Sequence, residues 1–175
     1  MDEITSDVLT QKFQSITHGT LTVFEVLDFI KAFLKEDPLA QYCLVIGTDS
    51  HEKMQTGHPL RHINAVTAVL VRRIGFGGKY FWKQKKLTNI HSLREKIYAE
   101  TLISLDFASQ FVPLLKTHLN GTSAQYNLEI HVDVGEHGAT REMIKEVVGM
   151  VTGNGYVAKT KPEAYAASYV ADRHT

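Results

Sequence analysis

Two aspartates at the ends of apolar runs are the residues here best suited to chemistry. Cys43-Leu44-Val45-Ile46-Gly47-Thr48-Asp49-Ser50 begins as a run fit for a buried central strand and ends on a carboxylate. An uncompensated carboxylate beside a core costs several kcal/mol, roughly, so Asp49 needs either backbone amides in a following turn or a cation. The second is Asp133. In the run 128–134, Leu128, Ile130, Val132 and Val134 fall on one face of a strand, and Glu129, His131 and Asp133 fall on the other. Two carboxylates brought together at neighbouring strand ends repel unless a cation lies between them or one takes a proton. Hard oxygen ligands without a thiolate favour Mg²⁺ or Mn²⁺ over zinc. Two such ions about 4 Å apart can activate a water and stabilise the leaving oxygen in phosphodiester cleavage.

A third carboxylate is expected from the long helix predicted over 90–119, which offers Glu95 and Glu100. With Ile97 at the centre of the buried stripe and about 100° per residue, Glu100 lies some 60° off that centre and Glu95 near the opposite side. Helical geometry therefore favours Glu100, whereas position near the helix start favours Glu95, and both stay open. The fourth candidate is Asp172 in Val170-Ala171-Asp172-Arg173, with Glu163 as its competitor. None of the nine histidines shows HExxH or Cys/His spacing. His131 reads as a core residue or a partner to Asp133. His137, in Gly135-Glu136-His137-Gly138, could pass a proton to a leaving group. That glycine loop lacks the length and the lysine of a P-loop.

Formal charge is balanced at zero, so any polyanion-binding surface is local. One stretch qualifies. No acidic residue occurs between Lys53 and Arg94, and Arg72, Arg73, Lys79, Lys83, Lys85 and Lys86 lie there with Phe76, Tyr80, Phe81 and Trp82 among them. Cations for phosphates and rings for stacking suit a nucleic-acid groove. In the bland reading Tyr80 and Trp82 pack inward while Lys79, Phe81 and Lys83 alternate outward along a guarded edge strand.

The elements that must position these residues follow from periodicity. The first fifteen residues are weakly patterned, with Val8, Leu9 and Phe13 fitting one side of a short helix. Thr22 followed by Glu25 is a capping box, and the apolar stripe from Val23 to Leu34 predicts a helix stopped at Asp37-Pro38. Strands are predicted around 43–48, 63–71 and 79–87, with a loop over 52–59 and the glycines of 75–78 closing a hairpin. The long helix follows, with Pro113 able to kink it. After it come strand 128–134, a helix over 140–151, a short strand over 156–160 and a final helix entered at Pro162. The order is β-β-β-α-β-α-β-α behind an N-terminal helical extension. Its two long crossovers imply strands parallel to the first. That is an α/β fold with a five-stranded mixed sheet in the ribonuclease H-like order. Residues 1–41 form the extension, packed on a main domain of 42–175. The length is ample for one core. The single cysteine, Cys43, is expected as a buried thiol in a reducing cytoplasm. Met1-Asp2-Glu3 is acidic where a signal peptide is basic, and no apolar run nears the ~20 residues of a membrane span.

Ile46-Gly47-Thr48-Asp49-Ser50, Leu93-Arg94-Glu95-Lys96, His131-Val132-Asp133-Val134 and the closing Lys161-Pro162, Tyr165-Ala166-Ala167-Ser168 and Val170-Ala171-Asp172-Arg173 together resemble the YkuK-like proteins. These are uncharacterised bacterial members of the ribonuclease H-like superfamily. The resemblance runs from about Thr22 to the end of the chain. It implies Asp49, Glu100 or Glu95, Asp133 and Asp172 as ligands of Mg²⁺ or Mn²⁺. Gly47 precedes Asp49 here, whereas ribonuclease H proper has Asp-Gly-Ser, so the resemblance does not carry hybrid specificity. The expected function is a metal-dependent nuclease or phosphodiesterase acting on RNA, DNA or their hybrid. A non-catalytic nucleic-acid-binding module and a protein-interaction domain are the alternatives.

Overall fold

A computed structural model describes residues 7–53 and 62–174. Thr22 opens the first helix as its sequence predicts. Its hydroxyl accepts from the Glu25 amide, and the Glu25 carboxylate accepts from the Thr22 amide at 2.7 Å. This helix, α1 (Val23–Glu36), buries Val23, Val26, Leu27, Ile30, Phe33 and Leu34. Ahead of it the chain is not helical. A three-residue 3-10 turn (Val8–Thr10) leads into β1 (Lys12–Ser15), which pairs antiparallel with β2 (Gly19–Thr22). The helix expected around Val8, Leu9 and Phe13 is thus corrected. Four-residue strands carry too few alternations to show a period of two, yet Phe13 and Leu21 sit opposite each other and both are buried.

The central strands are β3 (Gln41–Lys53), β4 (His62–Arg73) and β5 (Gly77–Leu87), an antiparallel meander. Gly75 and Gly77, at φ +85° and +100°, allow the tight β4–β5 turn. Glu52 and Lys53, expected in a loop, still belong to β3, and the rest of that predicted loop lies outside the described residues. Next comes α2 (Leu93–His118), which continues through Pro113 because that residue faces solvent, where water can take the orphaned carbonyl. β6 (Gln125–His131) runs parallel to β3, α3 (Ile144–Gly153) crosses over, β7 (Val157–Lys159) runs parallel to β6, and α4 (Ala166–His174) closes the chain. The last helix starts at Ala166, after a turn at Pro162.

Among the described residues the sheet has seven strands in the order β2-β1-β5-β4-β3-β6-β7, not five. The expected five form the stretch β5 to β7, in the expected order. The N-terminal hairpin adds the other two by joining Gln14 to Trp82 on β5. The main core lies between one sheet face and α1, α2 and α3, and includes Leu44, Ile46, Val69, Phe81, Phe111 and Ile130. Among the described residues α4 alone covers the central strands on the opposite face, where Val170 packs with Val66, Ala68 and Trp82. Among the described residues no helix is long and apolar enough to cross a membrane.

Candidate functional site

The chemistry collects where β6 stops. β3 and β6 pair in register as far as Gly47 and His131. Beyond that pair β3 continues with β4 alone, so the sheet opens on the β6 side. Asp49 and Asp133 each lie two residues past the last pair, which sets them level across the opening. Asp49 lies inside β3, which does not end there as expected, and Asp133 falls just after β6. Residues of β3 alternate between faces. Thr48 and Ser50 therefore turn toward α2, and Asp49 and His51 turn toward α4. Through the gap left by β6, side chains from both layers can meet.

From the α2 layer comes Glu100. It is 2% exposed, and its Oε1 accepts from Ser50 Oγ at 2.7 Å. Glu95 is elsewhere: exposed at the helix start, it accepts from the His91 amide at 2.6 Å while Ser92 caps the Glu95 amide. Of the two glutamates, only Glu100 joins Asp49. The hydroxyls of Ser104, Thr48 and Thr67 form a buried chain beside it, at 2.9 and 3.0 Å, which keeps these polar groups satisfied in the core. From the α4 layer comes Asp172, itself largely exposed. Its Oδ1 stands 3.4 Å from His51 Nε2, which is 3.5 Å from Asp49 Oδ2. His51 Nε2 thus stands between the two aspartates without a hydrogen bond to either. Glu163 lies outside this group, paired with Lys159 at 3.2 Å.

Two lysines complete the cluster. Lys96 Nζ is 3.6 Å from Glu100 and 4.0 Å from Asp49. Lys161 Nζ is 2.9 Å from Asp133 Oδ1. The contact with Asp133 raises the Lys161 amine above its usual range. Electrostatics are correspondingly tense. Burial first, then the charge of Asp133, pushes the Asp49 carboxyl above the usual range, against the pull of Lys96. Burial lifts Glu100 to about 7, although the Ser50 hydroxyl and Lys96 favour its ionised form. The donors present are hard oxygens of the kind Mg²⁺ or Mn²⁺ takes, and burial pushes two of the carboxyls, Asp49 and Glu100, toward protonation. They do not form a finished cage. Among the described residues no three His, Cys, Asp or Glu side chains stand together as a ready ligand group, and the two ammonium groups occupy the space against the oxygens.

This strand order with acids at the β3–β6 opening agrees with the comparison to known families, in which the Ribonuclease H-like model matches residues 25–175. The chain belongs to the ribonuclease H-like family. It is also similar to the uncharacterized protein YkuK of Bacillus subtilis (strain 168), with 33% identity over 174 residues covering 93% of this chain and 96% of that one. No solved structure matches it.

The basic residues of this ribonuclease H-like chain do not share one face. Strand alternation splits them. Lys79, Lys83 and Lys85 are odd positions of β5, and Arg73 pairs opposite Gly77 on the same side. Lys79 pairs with Glu36 and lies over the Phe33 ring. Lys83 turns inward over the Phe107 ring and donates to Gln11; burial lowers its amine to about 8. Phe81, on this same side, is in the main core. On the opposite side, Arg72 donates to the Tyr165 hydroxyl at 2.5 Å, and Tyr80 and Trp82 pack under α4. Lys86 is exposed. His137 is exposed in a cleft of about 570 Å³ beside Lys161, Gly135 and Glu163. His131 is buried, 3.2 Å from Glu129 and edge-on to Tyr165. Burial lowers its tendency to protonate. Cys43 is half-buried, and burial, then Glu129, raises its thiol to about 11.

The sequence did not mark His51, Lys96 or Lys161 as site residues, although Lys96 and Lys161 lie in the motifs that carry the resemblance. Lys96 carried a signal, since it lies one turn before Glu100 and must share its face.

Proposed function

We propose that this protein is a divalent-metal-dependent nuclease that cleaves phosphodiester bonds of nucleic acid. The observation that carries the reading is the convergence of Asp49, Glu100 and Asp133, from three separate elements, at the open end of two central parallel strands. Asp172, on the far side of His51, would be the fourth member. Mg²⁺ or Mn²⁺ held by these carboxylates would supply Lewis acidity and a nucleophile at neutral pH. The chain's own residues do the rest. Ser50 donates to Glu100 and fixes which way its carboxylate points. The Ser50 amide donates to Asp49 Oδ1 at 2.7 Å and does the same there. The apolar strands behind them keep water from the rear of the site. His137, in the cleft that Lys161 also lines, would receive or return a proton once a strand lies there.

One observation favours a second reading, a nucleic-acid-binding module without catalysis. Lys96 and Lys161 already neutralise the carboxylates, as permanent internal counter-ions would. Titration with Mn²⁺, followed by calorimetry, separates the two. The nuclease reading predicts saturable uptake by wild type and loss of at least one site in Asp49→Asn and in Asp133→Asn. Wild type that takes no Mn²⁺ would favour the binding module.

A further inference from the structure

Lys96 serves two surfaces at once. On one side its ammonium bridges Glu100 and Asp49, at 3.6 and 4.0 Å. On the other its side chain, about a quarter exposed, lines a cleft of about 390 Å³ shared with Ser50, His51, Ile63, His91 and Ser92. Among the described residues no Asp or Glu lines that cleft, although Glu95 holds the amide of His91 beside it. The contrast with the cleft on the Asp133 side is sharp, because there Lys161 shares the walls with Glu136 and Glu163. A phosphate entering the Lys96 cleft meets an ammonium, two imidazoles and the Ser92 hydroxyl, the Ser50 hydroxyl being given to Glu100. One entering the other cleft meets two carboxylates as well.

We propose that the Lys96 cleft is a phosphate subsite for the nucleic-acid strand, and that Lys96 is its binding residue, released from Asp49 and Glu100 when a divalent cation takes those oxygens. The subsite rests on the nuclease reading for its release step. A cation among the carboxylates removes the attraction that holds the ammonium and adds a repulsion. The four-carbon stem then lets the ammonium swing into the cleft it already borders. Lysine suits this role because it presents a compact charge on a flexible stem and does not need the fixed planar geometry of a guanidinium. Cation and strand therefore help each other to bind, and by linkage the factor is the same in both directions.

The test uses the full chain and two binding readouts. Mn²⁺ uptake is followed by electron paramagnetic resonance. Affinity for a short fluorescein-labelled, phosphorothioate single-stranded DNA is followed by anisotropy over a range of salt. In wild type, Mn²⁺ should tighten the oligonucleotide and the oligonucleotide should tighten Mn²⁺ by an equal factor. In Lys96→Met, Mn²⁺ alone should bind more tightly because its competitor is gone. The oligonucleotide should bind roughly tenfold more weakly, with a salt dependence lower by about one counterion, and the mutual tightening should vanish. Lys96→Arg, which keeps the charge, should recover most of the oligonucleotide affinity. Lys96→Met with unchanged oligonucleotide affinity, beside normal Mn²⁺ uptake, overturns the subsite and leaves the nuclease reading standing. Wild type without Mn²⁺ uptake overturns the release step together with the metal reading. Wild type with no measurable oligonucleotide affinity overturns the subsite outright.

Discussion

Glu100→Gln is expected to raise the melting temperature at pH 8 while lowering cleavage by about 100-fold or more. The stability half follows from proton linkage. Burial holds the Glu100 carboxyl at about 7 in the folded protein, against an ordinary 4.5. The folded chain therefore binds that proton more tightly than the unfolded chain. Its contribution is complete below about pH 4.5, declines as pH rises, and is gone above about pH 7. Asp49 moves in the same direction. The swing from Glu100 is of the order of 3 kcal/mol, or about 6–12 °C in a chain of this size. Glutamine is neutral at every pH and its amide oxygen still accepts from Ser50, so the variant escapes the loss. Thermal melts in chelator at pH 5 and pH 8 should show the two proteins together at the lower pH and separated at the higher. A variant less stable than wild type at pH 8 would contradict this account of Glu100. Gain of stability on loss of a functional carboxylate is the usual sign of a site built for charge rather than for packing.

Phe13→Ala is expected to destabilise the protein by about 3–5 kcal/mol, a fall of about 6–20 °C. Phe13 lies on β1, outside the stretch matched by the family model, and is fully buried. Its ring stands 5.8 Å from Phe107, which stacks on Phe111 at 5.0 Å. The hairpin that carries it also places Gln11 against the inward-turned Lys83. Removing the ring would leave a cavity beside a charged side chain that is already short of water. Ile16→Ala, at the exposed turn of the same hairpin, should change stability by less than about 0.5 kcal/mol. Chemical denaturation of the two variants beside wild type checks both. A Phe13→Ala protein as stable as wild type would mean that the hairpin is a loose appendage.

Four of the five expected strands and the crossover helices α2 and α3 were legible because their apolar patterns are long, whereas three-residue β7 was bracketed by Gly153-Asn154-Gly155 and Pro162. Leu128, Ile130, Val132 and Val134 declare a face by themselves, and rotation of about 100° per residue favours Glu100 over Glu95, although position near the helix start kept Glu95 open. The N-terminal hairpin was not legible, since four-residue strands show no period. The facing of β5 was also hidden. Phe81 and Trp82 are both large and apolar, so nothing in the sequence says which belongs to the main core. The pairing Val69 with Phe81 and Ala68 with Trp82 decides it. The basic run looked like one surface because sequence distance ignores alternation, and the strand divides it between two faces. Within the site, the aspartates stood out because acids at the ends of apolar runs are costly. Lys96 and Lys161 did not, because a lysine is ordinarily taken up by solvent, and only the tertiary structure sets each against a buried oxygen.

The most direct measurement is cleavage by purified protein with Mn²⁺ or Mg²⁺, using RNA–DNA hybrid, single-stranded RNA, single-stranded DNA and a branched DNA junction, with Asp49→Asn purified in parallel. The account predicts products from at least one substrate with wild type, none in chelator and none with Asp49→Asn. Products of equal yield from both proteins, or no products from any substrate, would contradict it.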